Sequence, residues 1–214
     1  MPLNHRNISL IHSTLNKYNH QSELMVVSKN RSFEDVKELL EMGYRLFGEN
    51  RVQEAKIKFQ NLTPSFADLN LHLIGPLQSN KVRDALKIFH TIQSVDRKKI
   101  VEEIAKNFDK EEVIVTKNYF IQVNIGSEIQ KSGISLEELD KFYEFCLKHK
   151  LPIKGLMCIP PVNKKPDHYF EKMVKARDAI NSNLNLSMGM SSDFEIALKY
   201  QSDLIRIGSS FFNE

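Results

Sequence analysis

The 214-residue chain has only two cysteines, no tryptophan, and almost no imbalance of charge. Cys146 and Cys158 are too few for a disulfide or zinc framework. One falls in an expected helix and the other in an expected strand, so both read as buried free thiols of a reducing compartment. Thirty basic residues against 27 acidic ones leave +3, which gives no electrostatic case for nucleic acid or a membrane as partner. No stretch approaches the ~20 apolar residues of a membrane span. The opening MPLNHRNISLIHSTLNKYN lacks the apolar core of a signal peptide, so a cytoplasmic protein is expected. No GxGxxG follows the first apolar strand, which argues against a dinucleotide site. With no repeat, no low-complexity tract and no sign of a second domain, residues 1–214 read as one domain. Its 41% hydrophobic content is ordinary for a chain with a real core.

What the chain does have is alternation. An opening helix is spaced by Ile8, Ile11 and Leu15. Eight apolar runs follow, at 24–27, 45–47, 71–75, 90–95, 119–125, 153–159, 184–187 and 203–208. Helical segments separate them, at about 33–42, 51–59, 80–89, 98–108, 135–149, 167–180 and after Ser192. Ser32 reads as an N-cap with Gly43 ending that helix. Ser135 with Glu138, and Ser192 with Glu195, read as capping boxes. Strict alternation argues a parallel sheet, and eight units argue a (β/α)8 TIM-type barrel. The opening helix is expected to cover the gap where no helix follows the eighth strand. A doubly wound open sheet is the main rival.

In a barrel the strand C-termini share one mouth, and chemistry collects there. The first strand delivers Ser28 and Lys29, and the second Gly48, Glu49 and Asn50. The third gives Gly75 and Pro76, the fourth Ser94 and Asp96, and the fifth Asn124. The seventh ends in SMGMSSD and the eighth in RIGSS. Backbone donors and hydroxyls at the last two exits favour a phosphate, and barrels often bind one there. The same glycines and serines read equally well as turn formers and caps. Most of the 22 lysines are solvated surface, but Lys29 shares its mouth with the phosphate cup. Apolar strand ends disfavour a charged amine, and a free amine attacks an aldehyde. Phosphate and aldehyde on one ligand describe pyridoxal 5'-phosphate (PLP). Arg206, at the strand carrying the phosphate loop, would meet the ring nitrogen and keep it unprotonated, since a guanidinium only donates.

The stretches VVSK (26–29), FGENRVQE (47–54), HLIGPLQSNK (72–81), QSVD (93–96), QVNIGSEIQKSGI (122–134), GLMCIPP (155–161), SMGMSSDFEIAL (187–198) and RIGSSFF (206–212) resemble the pyridoxal phosphate homeostasis protein family. That family is similar to the N-terminal barrel of alanine racemase. The resemblance implies Lys29 as the Schiff-base lysine and Ser187, Ser191, Gly208 and Ser209 around the phosphate. It also implies Arg206 at the pyridine nitrogen and Asn50 near the ring. Leu71 stands where the family often has tryptophan, a packing difference, and Pro76 where it often has histidine. Lys131 reads either as a residue reaching the mouth or as plain surface, and surface is favoured because exposed lysine is the usual state.

The reading is a PLP carrier without a dedicated reaction, a monomer serving vitamin B6 homeostasis, with PLP-dependent apoenzymes as candidate recipients. Two alternatives stay open. An amino-acid racemase needs a second acid/base opposite the lysine, supplied in alanine racemase by a tyrosine of a second domain. None of Tyr18, Tyr44, Tyr119, Tyr143, Tyr169 and Tyr200 is an obvious mouth residue, and His72 reads as a satisfied core histidine. A lysine-imine aldolase needs a proton-shuttling group, with Asp96 and Glu49 as candidates.

Overall fold

In the computed structural model, which describes residues 3–18, 21–59, 66–108, 110 and 113–212, the eight apolar runs become eight parallel strands. They are β1 (Glu23–Val27), β2 (Leu46–Glu49), β3 (Asn70–Leu73), β4 (Thr91–Val95), β5 (Asn118–Val123), β6 (Ile153–Cys158), β7 (Asn185–Met190) and β8 (Leu204–Ile207). Each pairs with the next, and β1 pairs with β8 through Leu24–Ile205 and Val26–Ile207, closing the barrel. Closure leaves no strand edge to protect. The open-sheet rival is thereby excluded.

The helices are α1 (His5–Leu15), α2 (Phe33–Glu41), α3 (Val52–Phe59), α4 (Val82–Ile88), α5 (Lys98–Phe108), α6 (Leu139–Lys148), α7 (Asp167–Ile180) and α8 (Phe194–Lys199). After β8 the chain makes a 3₁₀ turn, Ser209–Phe211, and α1 packs on that turn as expected. Asn4 N–H donates to Phe211 C=O at 2.8 Å, and Tyr44 meets the Phe211 ring edge-on. No helix among the described residues is long and apolar enough to cross a membrane.

Side-chain parity sorts each strand between two destinations. Ile205 and Ile207 of β8, Leu71 and Leu73 of β3, and Ile92 of β4 join the buried layer under the helices. The alternate positions, Arg206, His72, Gln93 and Ser187, are buried and polar and face the barrel interior. Thus a strand that reads as one apolar run carries two patterns, and the inward one is not apolar.

Local signals held in part. Ser32 forms a capping box with Asp35. Ser135 and Glu138 bond to each other, but a turn ahead of α6, which starts at Leu139. The expected Ser192–Glu195 box does not form. Asp193 occupies the N-cap, and its carboxylate instead accepts from the Met190 N–H at 2.6 Å. The reason lies in β7, which runs on to Met190 rather than stopping at Ser187. Gly189, at φ +94°, lets the strand shift register there, and a Cβ on it would lie 2.6 Å from that of Ala197.

Candidate functional site

The strand C-termini open on a cavity of about 630 Å³. Six of the seven residues singled out above line it: Lys29, Asn50, Ser191, Arg206, Gly208 and Ser209. Ser187 does not, and this corrects its expected place at the phosphate. It is fully buried in β7. Its hydroxyl accepts from Arg206 Nη1 at 2.7 Å and donates to Gln93 Oε1 at 2.7 Å. Ser192, one register step beyond Ser191, lines the cavity instead.

Arg206 is 3% exposed and, among the described residues, has no ion pair. Two of its five N–H donors are used, one on Ser187 and one on the Cys158 C=O at 2.8 Å. Three remain, on a guanidinium that faces the cavity. Burial lowers its pKa from the ordinary value, against the nearby Cys158 and Asp193, yet arginine starts so high that it stays charged. A buried cation with open donors calls for an acceptor in the cavity.

Lys29 departs from expectation in one respect. It is exposed at the mouth rather than walled by apolar strand ends. Among the described residues no carboxylate pairs with it, so its amine is unencumbered. On the β7 and β8 side, the backbone N–H groups and hydroxyls of Ser191, Ser192 and Ser209 make no hydrogen bond within the described protein, and all three residues line the cavity. That set of free donors suits an anion. Asn50 is fixed from behind: a Cβ on Gly75 would come within 2.3 Å of the Asn50 C=O, so the β3 exit lies directly on the Asn50 backbone.

Lys131 is not plain surface. It lines the cavity, with Nζ 3.1 Å from the Pro160 C=O and paired with Glu128. Asn124 organises that loop, bonding the Glu128 N–H and C=O and the Lys131 C=O. Glu49 and Asp96, by contrast, do not reach the cavity. Glu49 is buried against Ser28 and Lys58, and Asp96 pairs with Arg97. Burial raises the pKa of both, with Lys58 and Arg97 respectively opposing the rise. Nor does any of the six tyrosines line the cavity.

A family model described as the alanine racemase N-terminal domain matches residues 5–214. The chain is 36% identical to the pyridoxal phosphate homeostasis protein of Aquifex aeolicus over 202 residues, 90% of this chain and 87% of that one. It is also 36% identical to the protein of that name from Escherichia coli K12 over 200 residues, 88% and 84% of the two chains. It belongs to the pyridoxal phosphate homeostasis protein family. Among solved structures it is similar to PipY of Synechococcus elongatus without PLP, at 30% identity and TM-score 0.86 over 97% of this chain and 99% of that one. It is similar to PipY with PLP bound at 28% identity and TM-score 0.81 over the same shares. The alanine racemase of Corynebacterium glutamicum, at 15% identity and TM-score 0.69, covers 97% of this chain and 61% of its own length and shares the fold.

The member of the family described here also carries a polar file that apolar strand runs concealed. Arg206 only donates, so Ser187 must pass its proton to Gln93 Oε1. The Gln93 amide then donates to His72 Nδ1 at 2.9 Å, and the His72 Nε2–H goes to Asn70 Oδ1 at 3.1 Å. An arginine at the mouth thereby fixes the tautomer of a histidine near the barrel floor. The signal was present in parity: Thr91 and Gln93 alternate with Ile92, which joins the core layer, and Gln93 falls on the inward set.

Burial, reinforced by the field of His90, pushes the His72 pKa down to about 3. The unfolded chain takes up the proton first, near 6.5. Stability from neutral His72 is therefore complete above pH 6.5 and is lost as pH falls toward 3, at up to about 1.4 kcal/mol per pH unit. Denaturant unfolding between pH 4.5 and 6.5 should show wild type losing more stability than His72→Asn. Equal slopes would mean that His72 is not held neutral.

Proposed function

We propose that this chain binds PLP at the barrel mouth, covalently on Lys29, and serves as a cytoplasmic carrier of PLP without a dedicated reaction of its own. The observation that carries the reading is the pairing, in one cavity, of an unpartnered lysine amine with a buried arginine that keeps three N–H donors free. The serine hydroxyls and amides of 191, 192 and 209 fit a phosphate, and the cavity of about 630 Å³ is of the usual size for a ligand site. When bound, PLP supplies an aldehyde that condenses reversibly with amines. Lys29 presents the amine. Arg206 would offer the ring nitrogen hydrogen bonds and no acceptor, so it would keep that nitrogen without a proton and leave the ring a weaker electron sink. Asn50, which lines the cavity, would lie near the ring. Gly208, against Val27, lets the loop approach the phosphate closely.

The same lining speaks against the alternatives. A two-base racemase needs an acid/base opposite the lysine, and no tyrosine, histidine, cysteine or carboxylate lines the cavity among the described residues. An aldolase needs a proton shuttle near the amine, and both carboxylates that suited the role are held elsewhere. Release to apoenzymes accords with a mouth whose lysine is exposed.

The test combines holding with inactivity. Protein loaded with PLP and incubated with L-alanine in D2O should exchange the α-proton no faster than free PLP does, while a PLP-requiring apoenzyme added to it regains activity. Exchange well above the free-PLP rate would favour a racemase-type reaction. The phosphate end has its own test. A carboxylate introduced by Ser209→Asp would repel phosphate by about 1–4 kcal/mol at contact, about fivefold or more in Kd, without unfolding, because residue 209 is exposed. Unchanged affinity in an absorbance titration would put the phosphate elsewhere.

A further inference from the structure

Behind Lys29 lies a second, buried charge cluster that does not line the mouth cavity. Lys58, on α3, is 6% exposed. An ammonium has three donors, and all three are used: on the Ser28 C=O at 2.6 Å, Glu49 Oε1 at 2.7 Å and Glu54 Oε1 at 3.0 Å. Both carboxylates reach on to the same stretch of chain. Glu49 Oε1 accepts from the Ser28 hydroxyl at 2.7 Å, and Glu54 Oε1 accepts from the Asn30 N–H at 2.5 Å. The bonds therefore converge on Ser28 and Asn30, the two neighbours of Lys29.

The backbone there needs holding. Arg31 N–H closes a tight turn on the Ser28 C=O at 3.1 Å, and Asn30 sits at φ +58°. A non-glycine residue in the left-handed region persists only where its surroundings impose it. The cluster is also costly as plain packing. Glu49 is fully buried, and its Oε2 has no hydrogen-bond partner. A buried ion pair is weak evidence of stabilisation, and apolar residues of like volume often serve as well. What an apolar core cannot do is grip one carbonyl, one hydroxyl and one N–H around a single residue.

We propose that Lys58, bridged by Glu49 and Glu54, is a positioning residue that fixes the turn at 28–30 and so aims Lys29 into the cavity. This rests on the reading of Lys29 given above. It assigns the lysines separate tasks: Lys29 meets the ligand, and Lys58 sets where Lys29 stands.

The experiment compares wild type, Lys58→Met and Glu54→Ala. The last leaves the buried Lys58–Glu49 pair in place and keeps the comparison alive if Lys58→Met does not fold. Two ligands are titrated: PLP, and pyridoxine 5'-phosphate, which has an alcohol in place of the aldehyde. The variants should bind PLP at least tenfold more weakly and leave the affinity for pyridoxine 5'-phosphate unchanged, because the phosphate cup and Arg206 are untouched. Hydrogen exchange on the ligand-free proteins should show the Asn30 amide exchanging at least tenfold faster in both variants. Equal loss for the two ligands would reduce Lys58 to a general structural role. Unchanged PLP affinity and unchanged exchange would overturn the proposal. A wild-type protein that never captures PLP on Lys29 would sink the reading of the site instead, a failure visible before any variant is made.

Discussion

Lys29→Ala is expected to abolish covalent capture of PLP. The variant mixed with PLP should show the spectrum of the free aldehyde, and borohydride should leave no pyridoxyl group on the barrel mouth. The effect is all-or-none because the cavity offers no substitute. Lys131, the other lysine lining it, is paired with Glu128 and bonded to the Pro160 C=O, and Arg206 is no nucleophile. The barrel should not notice the change. Lys29 is exposed and makes no hydrogen bond or ion pair among the described residues, and such surface substitutions usually stay within about 0.5 kcal/mol. Non-covalent binding through the serine donors and Arg206 should survive in weakened form. Capture that moves to Lys131 at wild-type yield would contradict the assignment.

Arg206→Ala carries the second large effect, and it combines two losses. A hydrogen bond from a charged group is worth about 1.5–3 kcal/mol, which is roughly 10- to 100-fold in the Kd for PLP. The folded state suffers as well. Ser187 loses the donor that orients it, and the Cys158 C=O loses its partner, each at a cost of about 1–3 kcal/mol for a buried polar group left unpaired. The visible band of bound PLP should also shift, since the ring nitrogen would face a different environment. An unchanged Kd and spectrum, in a protein whose unfolding midpoint has fallen, would show Arg206 to be purely structural.

How much of this was legible in the sequence differs between fold and site. The barrel follows from period alone: strands delimited by turn residues, helices between them, and a count of eight. The mouth residues on loops were equally readable, because strand C-termini all face one way. Lys29, Asn50, Ser191, Arg206, Gly208 and Ser209 needed only that rule and the resemblance of their motifs. Ser187 reads as a mouth residue because the seventh apolar run stops there, while β7 runs on to Met190 and buries it. Lys131 was left between mouth and surface because its loop bends back over the mouth, held by Asn124, and no local pattern announces such a bend. The Lys58 cluster was hidden most thoroughly. A lysine four residues after a glutamate on a helix reads as a solvated pair. Only the packing of α3 against the end of β2 turns that pair inward.

The central claim is that the first strand presents its lysine to an aldehyde. The measurement that tests it most directly is a visible absorption spectrum of the wild-type protein with PLP, before and after borohydride, followed by mass spectrometric mapping of the labelled peptide. The account predicts a bound band that reduction bleaches, with one pyridoxyl group fixed on Lys29. A spectrum of free PLP alone, or label scattered over surface lysines with Lys29 unmodified, would contradict it.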